Sequence, residues 1–279
     1  MTALDIILNC AALLLWLNWW SRGVSVPRAG GIALISTLRR AEPAQRDRWV
    51  SPAAIAAILF IRAILYWQIG QAIKWSPRLS LVAITLPFRS DNFPRMFLFS
   101  ILSFIVFVAA FYFCALLMSA VNRSVPATDP WQAFIRVLLG PVDRWPAWGQ
   151  ALLPFAAGVL FWLLVGPLLS AIGVQVPVKT FSHRLEEAVL IGLGSYASWK
   201  YVIIAVLALH ALVSYVYLGA APLWQFVGFS ARNLLRPMGA LQLRAGRIDF
   251  APLLAIAIVA AGSELIERWL PKLYVRLPI

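Results

Sequence analysis

The sequence predicts an all-α membrane protein of about six transmembrane helices, arranged as repeated units of span, amphipathic helix and span. Three observations predict it. Of 279 residues, 62% are hydrophobic and 13% charged, whereas soluble domains carry roughly 25% charged residues. Six apolar runs approach the roughly 20 residues that a bilayer crossing takes. Between alternate runs lie polar stretches, two of which share an aromatic-rich segment ending in Leu-Leu and then a proline.

The expected spans are 3–20, 51–69, 96–118, 151–172, 199–218 and 251–267. The first run ends in Trp19-Trp20 and Arg22. That is no small-residue cleavage site, so it reads as a retained span. Shorter apolar stretches at 80–88 and 188–195 cannot cross unaided. They read as interfacial or re-entrant pieces, or as extensions of the next helix, with 183–198 able to run on into the fifth span. Mean hydropathy is +0.81, and 13 Trp and 16 Phe suit a bilayer solvent.

The long connections follow spans 1, 3 and 5. In the second, Asp129-Pro130 marks a helix start, and Trp131, Phe134, Ile135 and Leu138 recur at i, i+3, i+4 and i+7, which makes one apolar face. In the third, Pro222 precedes Trp224, Phe226, Phe229 and Leu234-Leu235, with Arg232 and Arg236 between and after them. Helices of this kind lie in the membrane interface with the apolar face sunk into lipid. Trp131, Phe134, Arg136, Trp224, Phe226, Arg232, Arg244 and Arg247 are therefore the expected lipid contacts, the arginines at the level of anionic headgroups.

The two connections align. Leu138-Leu139-Gly140-Pro141 answers Leu234-Leu235-Arg236-Pro237, and Leu153-Pro154 answers Ala251-Pro252. The paired prolines lie 13 residues apart in one copy and 15 in the other. A fainter copy in the first connection has Ile32, Ile35 and Leu38, then Arg39-Arg40 and Ser51-Pro52. The expected organisation is a divergent first repeat (1–69), a linker (70–95), a second repeat (96–172), a linker (173–198) and a third repeat (199–279). Each unit crosses twice, so the copies are parallel, unlike inverted-repeat transporters. The loops carrying the amphipathic helices hold 13 Lys/Arg against 10 opposite, Arg62 excluded. By the positive-inside rule those helices face the cytoplasm.

In the third unit, Leu-Leu-Arg236-Pro237 followed by Ile248-Asp249-Phe250-Ala251-Pro252 resembles the YggT family of small bacterial membrane proteins, also called YlmG. Residues 202–262 match that family's unit well, 104–170 match as a decayed copy, and 4–66 match loosely. Met238-Gly239-Ala240 stands where the family favours an Arg pair, Ala251 replaces a Ser, and the middle copy has Gln150 near the place of the turn's Asp. The resemblance implies a non-enzymatic protein of the bacterial inner membrane. It implies a role in membrane organisation or assembly, with an unidentified membrane or division-associated partner. It also implies an alternative, an ion channel or transporter serving osmotic or potassium balance. Read physically, Pro237 ends or bends a helix. Asp249 can cap the last span, and Pro252 suits its first turn.

Remaining features narrow the chemistry. A net charge of +13 on a soluble chain would suggest nucleic acid; here the arginines alternate with apolar runs, so lipid phosphate is expected and direct nucleic-acid binding is not. Cys10 and Cys114 sit inside apolar runs and suggest neither a disulfide framework nor a metal site. No cofactor, metal or catalytic motif is expected. A homo-oligomer is compatible with the pattern. Arg62, His210 and Glu264 are the intramembrane polar residues of interest, since an ionisable group inside a span calls for a partner. Glu264, Glu267 and His210 are the candidates for Arg62, unless Glu264 pairs with Arg268 at i, i+4. Glu186 and Glu187 read as a solvated helix start.

Overall fold

A computed structural model of the chain describes residues 3–23, 49–73, 75–124, 129–175, 180–216, 219, 221–238, 244–245 and 248–275. The elements are α1 (Ala3–Gly23), α2 (Val50–Ile73), β1 (Arg78–Ser80), β2 (Thr85–Pro87), α3 (Phe93–Val121), α4 (Pro130–Leu139), α5 (Ala147–Ala171), α6 (Phe181–Gly194), α7 (Trp199–Tyr215), α8 (Pro222–Leu235), β3 (Arg244–Ala245), β4 (Ile248–Asp249) and α9 (Ala251–Val275). The fold is helical, with no closed sheet among the described residues. Five helical stretches are long and apolar enough to cross a membrane.

The expected spans 3–20, 51–69 and 96–118 fall within α1, α2 and α3, and 151–172 overruns α5 by one residue. The fifth follows the alternative in which 183–198 runs on into it. A 3-10 turn at Ser195–Ser198 joins α6 to α7, and the apolar stretch covers Phe181–Ser214, 34 residues. At 1.5 Å per residue this is about 50 Å, beyond a hydrocarbon core of about 30 Å, so the stretch must tilt, bend or extend past it. The expected sixth span is a helix, α9, but Glu264, Glu267 and Arg268 in its second half set it apart from the other five. The faint first-repeat helix at Ile32, Ile35, Leu38 and Arg39-Arg40 lies outside the described residues.

The stretch 80–88 is not an extension of the next helix, which begins at Phe93. It belongs to an antiparallel hairpin in which Arg78 pairs with Pro87 and Ser80 with Thr85. Leu79, Ala83, Leu86 and Phe88 are buried, so side chains alternate in and out with the period of two that strands impose. At the tip, Ala83 N donates to Leu81 O at 2.7 Å and Leu81 N to Ile84 O at 2.9 Å. This i to i+2 bond holds Val82 at φ +64°, a strained turn for a β-branched residue.

The chain divides into two compact units. The first comprises Met1–Ala110, Leu160–Ala188 and Leu277–Ile279. In it α1 packs against α2. Asn18 Nδ2 donates to Ser51 Oγ at 3.4 Å near one end, and Tyr66 Oη donates to Asp5 Oδ1 at 2.6 Å near the other, so the helices run antiparallel. Ala12, Ile55, Leu59 and Phe104 form the core between them.

The second unit comprises Phe111–Val159 and Val189–Arg276. Here α7 packs against α8 and α9, and α8 packs against α4. Two glycines set a close crossing of α5 and α6. A Cβ on Gly158 would lie 2.8 Å from the Gly192 Cα, and one on Gly192 would lie 2.9 Å from the Phe155 carbonyl oxygen. Tyr196 Oη donates to Ala151 O at 2.8 Å beside this crossing.

The α4 helix begins as the sequence predicts. Asp129 Oδ1 accepts from Trp131 N at 2.9 Å and from Gln132 N at 3.0 Å, and Pro130 occupies the first turn, where no N–H partner is needed. Gly140, at φ +56°, ends it. Both α4 and α8 run into 3-10 turns, at Gly140–Arg144 and Arg236–Met238, that contain the paired Pro141 and Pro237.

Candidate functional site

The most chemically loaded place in the first unit is a buried charge cluster. Asp5 and Asn9 are four residues apart on α1, as are Arg62 and Tyr66 on α2, so each pair shares a helix face. The antiparallel packing brings these faces together. Arg62 Nη1 donates to Asn9 Oδ1 at 2.8 Å, and Arg62 Nη2 lies 3.6 Å from Asp5 Oδ1. Asn9 Nδ2 donates to Ser103 Oγ of α3 at 3.1 Å, and Ser100 Oγ donates to Leu59 O at 2.8 Å. The Arg62 guanidinium lies 5.3 Å from the Phe99 ring centroid and 5.6 Å from that of Tyr66. Its side chain is fully buried, so the charge is compensated in place rather than held in a water-filled path.

Arg62 thus has its partners, Asp5 and Asn9, within its own unit. Glu264 Oε1 accepts from Arg268 Nε at 2.8 Å within α9, the i, i+4 pairing open to the sequence. Glu267 pairs with Lys200 of α7, a partner that sequence reasoning missed. His210 lines a cavity of about 270 Å³ with Trp224, Gln225, Phe229 and Arg232. Nearby, Ser214 Oγ donates to Ala211 O at 2.6 Å.

Glu187 also departs from expectation. It is buried, not solvated. Trp162, wholly enclosed, donates its indole N–H to Glu187 Oε2 at 3.0 Å, and Gln175 Nε2 lies 3.3 Å from the same oxygen. A buried indole needs an acceptor, and Glu187 supplies it.

In the second unit a seam of polar side chains fastens the short helices to the long ones. Ser119 Oγ donates to Asp143 Oδ1 at 2.6 Å. Gln150 Nε2 donates to Asp143 O at 2.9 Å and Val142 O at 3.1 Å. Asn122 Nδ2 donates to Ser230 Oγ at 2.7 Å, and Asn233 Nδ2 donates to Asn122 Oδ1 at 3.2 Å. Gln132, Ser119, Asn122, Gln150 and Ser230 are all buried. Apart from Gln150, noted only as standing near the place of the turn's Asp, sequence reasoning passed over these residues because isolated Ser, Asn and Gln in apolar surroundings carry no motif.

The expected lipid contacts separate by side. Phe226 is buried with Val227, Ser230 and Ala231 on the inner face of α8, so it is not among that helix's exposed aromatics. Trp131, Phe134 and Trp224 are half-buried, whereas Phe229 and Arg232 are exposed, the guanidinium 6.0 Å from the ring. Arg136 lies 3.7 Å from Asp143. Arg236, Pro237 and Phe250 are exposed and Pro252 is buried. The backbone of Asp249 pairs with that of Arg244; the side chains of both, and Arg247 as a whole, lie outside the described residues. Among the described residues no three His, Cys, Asp or Glu side chains converge on a metal-sized site. Comparison with family models, curated proteins and solved structures finds no significant match to this chain.

Proposed function

We propose that this chain is a non-enzymatic scaffold or assembly factor of the YggT type in the bacterial inner membrane. In this reading three parallel units of span, amphipathic helix and span make six crossings, with the short helices on the cytoplasmic side. The observation that carries it is the placement of α4 and α8. With 10 and 14 residues they reach about 15 and 21 Å, too short for a core of about 30 Å. Buried polar side chains tie α8 to Asn122, just past the end of α3, and tie the 3-10 turn that follows α4 to Ser119 of α3 and Gln150 of α5, while Phe229, Arg232 and Arg236 remain outside. A helix held this way presents aromatic groups to acyl chains and guanidinium groups to anionic headgroups, and offers a surface that a membrane or division-associated partner reads. Photo-crosslinkers at Trp131 and Phe229 test this in cells. Discrete protein adducts at both positions are expected; lipid adducts alone would overturn the scaffold reading.

Arg62 supports a second reading, ion conduction, because charges inside spans commonly mark ion pathways. Its compensation by Asp5 and its full burial favour the first reading. Potassium flux through proteoliposomes, lost on Arg62→Ala, would reverse that order.

A further inference from the structure

We propose that the cavity above the buried charge cluster of the first unit seats the phosphate of an anionic phospholipid. This cavity, about 540 Å³, is walled by the last turn of α2 and by the segments on either side of the hairpin. Its size lies within the roughly 300–1,000 Å³ of small-molecule sites.

Its charge is one-sided. Arg89 lines the wall, is exposed, and makes no ion pair among the described residues. The one carboxylate in the lining, Asp91, is already held: both its oxygens lie 3.2 Å from Arg95 Nη1. The remaining groups include the hydroxyls of Ser76 and Ser90 and the indole of Trp75. A free guanidinium with two hydroxyl donors fits a phosphate oxygen and disfavours a cation. Gly70 makes the wall possible, because a Cβ there would collide with the Ser90 side chain.

The position selects a lipid over a soluble phosphate. Gly70 belongs to the last turn of one apolar helix, and Ser90 lies three residues before the start of the next. Directly along the same helices runs an aromatic row. Trp67 meets Phe93 at 6.0 Å, Phe93 stacks on Phe97 at 6.1 Å, and Phe60 meets both. Phe60 is exposed. Trp67, one turn from Gly70, is of the type that sits at the headgroup boundary, so the row offers an acyl chain its path while the phosphate enters the cavity. On the inner side, Trp75 contacts Tyr66 edge to face at 5.3 Å, and Tyr66 donates to Asp5. Headgroup binding thereby bears on the buried Arg62–Asp5 pair.

The site lies in the first unit and does not depend on α4 or α8, so it and the scaffold reading fail independently. The test incubates purified full-length protein with vesicles of equal phosphatidylglycerol and phosphatidylcholine, then counts retained lipid by native mass spectrometry. Wild type is expected to favour phosphatidylglycerol about tenfold, the scale of one charge-assisted contact. Arg89→Gln should abolish that preference. Arg78→Gln, which removes an equal charge from the exposed side of the hairpin, should leave it intact. Equal loss in both variants would show general surface attraction and overturn the site. So would an unchanged preference in Arg89→Gln. Displacement of phosphatidylglycerol by millimolar inorganic phosphate, with no lipid preference remaining, would overturn the lipid assignment in favour of free phosphate.

Discussion

Arg62 reaches across 53 residues of chain to donate to Asn9 at 2.8 Å, with no part of its side chain open to solvent. With the Arg62–Asp5, Tyr66–Asp5 and Asn18–Ser51 contacts, the bond fastens two otherwise largely apolar helices. Breaking a buried pair by removing one partner costs about 3–5 kcal/mol, because the other charge is left uncompensated. Asp5→Leu is therefore expected to destabilise strongly. Asp5→Leu with Arg62→Met should cost no more than the worse single change. Unfolding by denaturant in detergent, run as a double-mutant cycle, measures the coupling.

The two acids of α9 should behave differently. Glu264 and its partner Arg268 are more than half exposed, and an exposed i, i+4 pair contributes about 0.3–0.5 kcal/mol. Glu264→Gln is expected to fall within that range. Glu267 is less exposed and fastens α9 to Lys200 of α7, so Glu267→Gln should cost about 1.5–3 kcal/mol, the worth of a hydrogen bond to a charged group. Thermal unfolding of the two variants side by side distinguishes them, and a charge swap of Lys200 and Glu267 should recover part of the loss.

Val82→Gly should stabilise the hairpin. A left-handed conformation costs a non-glycine residue about 1–2 kcal/mol, offset in part by the greater freedom glycine has when unfolded. A gain of about 0.5–1 kcal/mol is expected, read as slower hydrogen exchange at the Ala83 and Leu81 amides.

The α5–α6 crossing should reject side chains. Gly192→Leu would drive a side chain into Val159 and the Phe155 carbonyl, and overpacking costs about 1–3 kcal/mol even where neighbours can yield. Gly228, with open space around it, is the control: Gly228→Ala should be neutral or, by helix propensity, better by up to about 1 kcal/mol. Melting curves of both variants decide this.

Much of the helical order was legible because length and hydropathy alone set it. The runs at 3–20, 51–69 and 96–118 lie inside α1, α2 and α3, that at 151–172 overruns α5 by one residue, and Asp129-Pro130 marked the α4 start through capping chemistry. The partners of Arg62 were missed, although a signal existed. Asp5 and Asn9 are polar residues at i, i+4 in an apolar run, and Arg62 and Tyr66 repeat that spacing. What the sequence lacked was the pairing of α1 with α2. The hairpin at 78–87 escaped because three-residue strands are too short for their alternation to stand out from an apolar run. Glu187 escaped because its burial depends on Trp162, which is distant in sequence.

The polar seam of the second unit also imposes an order in time. Asn122 and its acceptor Ser230 are 108 residues apart, and a ribosome adding about 5–20 residues per second takes roughly 5–20 seconds between them. The Arg62 cluster draws its α1 and α2 partners from residues 5 to 66, so that pairing can close while most of the chain is unmade. Asn122 must wait. Until α8 emerges, its amide has to be kept wet or paired elsewhere, so the second unit's polar seam closes only when synthesis is well advanced.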